Sequence, residues 1–130
     1  DPEILVKYIR EYESKDQIKN RVPEKSFALY TRNVNDVMII TILGYLKPEV
    51  LTEVRKVIEG NKKVVISLNG ISTLNLDLNT LREFKYLMES SGVEFRFVAA
   101  REKIRNTLVE EGISESLIFS NEFLAVKNIC

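Results

Sequence analysis

The feature that most constrains this chain is a series of short, continuous apolar runs alternating with amphipathic stretches of helical period. "VMIITIL" at 37–43 and "KKVVISL" at 62–68 are β-branched and apolar on both alternating faces. A strand facing water on one side would alternate, so these two read as strands covered on both faces. Between them, "PEVLTEVRKVIEG" places Val50, Leu51, Val54, Val57 and Ile58 on one stripe. Pro48 suits its first turn and Gly60 its stop. Buried strands separated by helices require right-handed crossovers and a mainly parallel sheet.

The same alternation continues to the end of the sequence. Residues 78–90 read as a helix with apolar positions Leu78, Leu81, Phe84, Tyr86, Leu87 and Met88. "VEFRFVAA" reads as a strand, "REKIRNTLVEEG" as a helix, "LIF" as a short last strand and "NEFLAVKNI" as a closing helix. Ahead of the alternation, "FALYT", the turn residues "RNVND" and "VMIITIL" form a predicted hairpin, which adds a first strand antiparallel to the rest. The fold class is therefore α/β, a mixed, mainly parallel sheet of about five strands with about four helices. Residues 26–130 make up this domain. Residues 1–25 stand apart as an N-terminal extension. Ile4, Leu5, Tyr8, Ile9 and Tyr12 predict an amphipathic helix over 2–21, ended by Pro23, with six acids and six bases on the remaining positions of 1–25.

Composition removes several functions. The chain has no histidine, which excludes a histidine base and a His-ligated metal site. Its single cysteine, Cys130, permits no internal disulfide and suits a reducing, cytoplasmic setting. Lys plus Arg and Asp plus Glu both number 19; this balance argues against a nucleic-acid binder, although it leaves room for a local patch. The longest apolar run is too short to span a membrane, and no secretory signal is visible. Asp1 rather than Met opens the chain, which is compatible with a piece of a longer protein.

The serial pattern resembles the STAS domain, named for sulfate transporters and anti-sigma-factor antagonists. "VMIITILGYLKPEVLTEVRKVI" is similar to that family's strand, glycine and first helix. "KKVVISLNGIST" resembles the strand leading into its functional loop, "SSGVEFRFVAAREKIRNTLVEEGI" the later glycine, strand and helix, and "SLIFSNEFLAV" the closing pair. The resemblance implies a non-enzymatic regulator without cofactor or metal, which binds a protein partner such as an anti-sigma factor through the loop and helix at 72–82. In the family, a kinase-type partner phosphorylates a Ser or Thr in a D-S-[ST]-G motif there, and the added charge breaks the complex.

That motif is degenerate in this sequence. Without gaps, Asn75 falls at the aspartate, Leu76 at the first serine, Asp77 at the acceptor and Leu78 at the glycine; anchoring on Gly92 instead brings Asn75 or Leu76 to the acceptor. Neither alignment supplies a hydroxyl, so the resemblance implies a partner-binding region at Ser72, Thr73, Asn75, Leu76, Asp77, Leu78, Asn79 and Thr80 without the usual serine switch. Asp77 has two readings, a helix N-cap or a constitutive mimic of the phosphorylated state. Thr80 with Glu83 fits a T-x-x-E capping box, with Thr80 as a displaced phospho-acceptor the alternative. Ser72 and Thr73 suit loop backbone bonding. Leu76 and Leu78 are either tucked into the sheet or form an apolar contact patch. Two other classes remain open. One is a STAS scaffold of a stress-signalling complex, with a homodimer through the N-terminal helix; the other is an accessory STAS subunit of a transporter. No nucleic-acid partner and no direct membrane insertion are expected.

Overall fold

In a computed structural model of the chain, residues 27–72 and 77–130 are described. The expected helix over 2–21 lies outside them. Among the described residues the sheet has five strands in sequential order, β1 (Phe27–Val34), β2 (Val37–Gly44), β3 (Lys63–Ile71), β4 (Glu94–Val98) and β5 (Ile118–Phe119). β1 runs antiparallel to β2 and every other pair is parallel. The hairpin forms as expected. Val34 pairs with Val37 across a two-residue turn, and Asn35 and Asp36 both take positive φ, 51° and 67°. These are the backbone angles of a type I′ turn, and Asn and Asp tolerate them better than other non-glycine residues.

Among the described residues, four α-helices follow the pattern read from the sequence: α1 (Pro48–Ile58), α2 (Leu78–Ser90), α3 (Glu102–Glu110) and α4 (Glu122–Ile129). Because each parallel strand is added beside the last, right-handed crossovers put α1, α2 and α3 on one face of the sheet. There Val50, Val54, Leu81, Phe84, Ile104 and Leu108 pack against Ile40, Ile42, Val64, Ile66 and Phe97 in one large core. Phe84 and Phe97 are fully buried, with ring centroids 5.9 Å apart and planes tilted by 58°. α4 lies on the other face, where Ala125 and Ile129 meet Val37, Ile39, Val65 and Val98 in a smaller core. β2 and β3 are therefore covered on both faces, which is why their apolar runs are continuous.

β3 departs from expectation by running three residues past Leu68, through Asn69, Gly70 and Ile71. Its polar end reads as loop, but Gly70 and Ile71 pair with Leu43 and Gly44 of β2 past an irregularity in the register. A Cβ at Gly70 would run into Leu43 Cδ2 and come within 3.3 Å of the Ile42 carbonyl. Only glycine lets Leu43 lie over the strand there.

Candidate functional site at the end of β3

The parallel strands deliver their carboxyl ends to one edge of the molecule, where β3 hands over to α2. The end of β3 is tied from both sides. The Ser72 amide donates to the Gly44 carbonyl at 2.7 Å. The Arg101 guanidinium, at the start of α3, donates to the Ile71 carbonyl at 2.8 Å. Asn69 accepts from the Ala100 amide at 2.7 Å and donates to the Ser120 carbonyl at 3.5 Å, which links the ends of β3, β4 and β5. These ties hold the segment's entry point against the sheet.

At its exit, Asp77 is the N-cap of α2. Its Oδ1 accepts from the amides of Asn79 at 3.0 Å and Thr80 at 3.3 Å, and its Oδ2 accepts from the Thr80 hydroxyl at 2.8 Å. Both carboxylate oxygens are thus used within the first turn of the helix, satisfying donors that would otherwise lack intrahelical partners. The Thr80 hydroxyl is the largest influence holding the Asp77 carboxyl below its ordinary value. Partial burial pushes the other way, and the two backbone amides reinforce the lowering.

This geometry corrects one reading. The T-x-x-E box does not form, because the cap lies one turn earlier. Thr80 occupies the third helical position, is 1 % exposed, and donates its hydroxyl instead of capping. The same burial removes Thr80 as a displaced phospho-acceptor, since a phosphoryl group there would have to open the first turn of α2. Leu78 is not tucked into the sheet; it is 50 % exposed beside the cap. Asn79 is exposed and Ser72 half-buried. Thr73, Asn75 and Leu76 lie outside the described residues. Further along α2, Arg82 makes a two-point ion pair with Glu111 at the end of α3, at 3.1 and 3.2 Å, and Glu111 raises the arginine's pKa. Exposed Tyr86 stands two turns from Leu78 on the same helix.

The start of α2 thus presents a capped helix end, an outward leucine and a satisfied carboxylate. Sequence reasoning found Asp77 but missed Asn69 and Arg101. Their partners lie 31 and 30 residues away, and no local pattern signals such contacts.

Comparison with solved structures decides the fold. The chain superimposes on an anti-sigma factor antagonist from Mycobacterium paratuberculosis with a TM-score of 0.71 at 15 % identity, covering 82 % of this chain and 97 % of that one. The fold is that of a STAS domain. A serine-to-glutamate variant of RsbS from Moorella thermoacetica shares this STAS fold with a TM-score of 0.60 at 18 % identity, over 78 % and 93 % of the two chains. SLC26A9 matches with a TM-score of 0.51 at 14 % identity, over 75 % of this chain but 20 % of its own length. No protein-family model and no curated protein matches the sequence. No helix among the described residues is long and apolar enough to cross a membrane.

Proposed function

We propose that this STAS domain is a cytoplasmic, non-enzymatic regulator that binds a protein partner of the anti-sigma-factor kind through residues 72–82, without a phosphorylation switch in that segment. The observation that carries this reading is the Asp77 cap with Leu78 exposed beside it. The residue that the ungapped alignment brings to the acceptor position of the D-S-[ST]-G motif is engaged in holding the helix start, and an apolar side chain is offered next to it. The carboxylate is a negative group at the place where a phosphate would act, but it carries about half of the charge and fewer acceptor oxygens. Among the described residues its hydrogen bonds are all made within its own helix, which supports a structural role over mimicry. The absence of histidine from this sequence supports a regulator over an enzyme.

The test pairs two measurements on a kinase-type anti-sigma factor. Incubation with the kinase and ATP should leave residues 72–80 unmodified by mass spectrometry, and stoichiometric phosphate there would overturn the reading. In a pull-down, Asp77→Ser should bind as the wild type does, since serine also caps. Tighter binding by the serine variant would show that Asp77 acts as a phosphate mimic. A second reading, a STAS module serving a transporter, draws support from the match to SLC26A9 and predicts co-purification with a membrane complex.

A further inference from the structure

The sheet edge where the parallel strands begin carries features that partner binding at 72–82 does not use. On the back face, α4 packs on β3, β4 and β5, and its flank towards β1 borders an open groove of about 580 Å³. Phe123 and Val126 of α4 and Val34 and Ile39 of the first two strands form its apolar walls. Phe123 is 72 % exposed. An ion pair between Arg32 of β1 and Glu122 of α4 joins the walls. At the β1–β2 turn this groove meets a second basin of about 1040 Å³, with which it shares Asn35 and Cys130. The basin lies where β2 and β3 begin and is polar, with Asn33, Asp36, Asn61, Lys62 and Lys63 along it.

We infer that the joined grooves bind a small amphipathic anion, an alkyl chain with a carboxylate head, the chain lying between the α4 and strand walls and the head towards Lys62 and Lys63. Charge decides the head. Four cations line the two grooves against two carboxylates, and one of these, Glu122, is already held by Arg32. Among the described residues no carboxylate pairs with Lys62, Lys63 or Lys127. The polar end is therefore positive, and the side-chain amides of Asn33 and Asn35 add donors suited to carboxylate oxygens. The apolar walls decide the chain. An inorganic anion would leave Phe123 in water, and a purely apolar ligand would leave the lysines unused. Size decides against a second copy or another protein. Nine and eight residues line the two grooves, two of them shared, whereas a stable protein interface takes about 20–30 residues a side. The apolar groove instead falls within the range of small-molecule sites, about 300–1,000 Å³.

The test titrates the full chain with decanoate by isothermal calorimetry, and saturable one-to-one binding is expected. Phe123→Ser changes a side chain that stands mostly in water, so the fold is kept; it should weaken binding about tenfold through lost apolar cover. Lys62→Gln combined with Lys63→Gln should also weaken decanoate about tenfold. The same double variant should leave 1-decanol, which has the chain without the charge, unmoved. Lys103→Gln, an exposed change on the helix-covered face, should alter neither. No saturable binding, an unchanged decanoate affinity in either groove variant, or an equal loss of decanol binding in the lysine variant would each overturn the inference. So would co-sedimentation with vesicles of equal parts phosphatidylcholine and phosphatidylglycerol that the lysine change abolishes and decanoate does not compete, which would assign the lysines to a membrane surface. None of these variants touches residues 72–82, so failure here leaves the proposed partner binding standing.

Discussion

Replacing Asp77 with alanine tests the most specific arrangement in the site. The substitution removes the acceptors of two backbone amides and, separately, the acceptor of a hydroxyl that has almost no access to water. Loss of an N-cap costs about 0.5–2 kcal/mol, and a buried hydroxyl left without its partner costs about 1–3 kcal/mol. Thr80 can recover part of the second cost by turning towards a backbone carbonyl, so Asp77→Ala should destabilise by about 2–3 kcal/mol. Asp77→Asn keeps an oxygen for the amides and loses the charge, which costs about 1 kcal/mol through the helix dipole and the weaker bond to Thr80. In urea, with a slope of about 2 kcal/mol per molar, the midpoints should fall by about 1–1.5 M and about 0.5 M. The pH dependence has a definite sign. The folded carboxyl titrates below its unfolded value, so its contribution is complete above about pH 5 and lost as pH falls through the folded value, below about 3.9. The gap between wild type and Asp77→Asn should therefore close on acidification. Equal midpoints for the alanine and asparagine variants at neutral pH would refute the reasoning, as it would mean that the carboxylate does not hold Thr80.

Two further outcomes test the packing that positions the site. Gly70→Ala should cost about 1–2 kcal/mol through overpacking against Leu43; combined with Leu43→Ala it should cost less than the sum of the two single changes, and additivity in urea unfolding would show that the close approach is unimportant. Phe84→Ala, which empties a fully buried site beside Phe97, should cost about 3–5 kcal/mol, and a loss below 1 kcal/mol by the same assay would show that the helix face of the core is not packed as described.

The fold was largely legible because its information is periodic. Apolar residues on both alternating faces of β2 and β3 announced cover on two sides, and α2 occupies the 78–90 predicted from its stripe. What escaped was information held between distant segments. Asn69 and Gly70 carry the composition of a turn, yet they extend β3 because β2 lies alongside, its Leu43 and Gly44 pairing with Gly70 and Ile71 beyond the register shift. Thr80 fits a capping pattern with Glu83 one turn too late, and only the neighbouring carboxylate decides which residue caps. Asp77 itself was legible as a cap, since a carboxylate just before a helical stripe has a local physical reason to be there. Arg101 had no such local reason; its role depends on a carbonyl 30 residues earlier.

The sequential strand order also sets the order in which the molecule can close. Each new strand has its neighbour already in place as the chain lengthens, so no strand waits for a later one to be inserted between it and its partner. The helix-covered face can consolidate step by step with α1, α2 and α3. The other face cannot, because Val37, Ile39, Val65 and Val98 come from three successive strands and receive Ala125 and Ile129 only when α4 arrives. During synthesis this strip is open longest, and a chaperone or a neighbouring nascent chain would meet the protein there first.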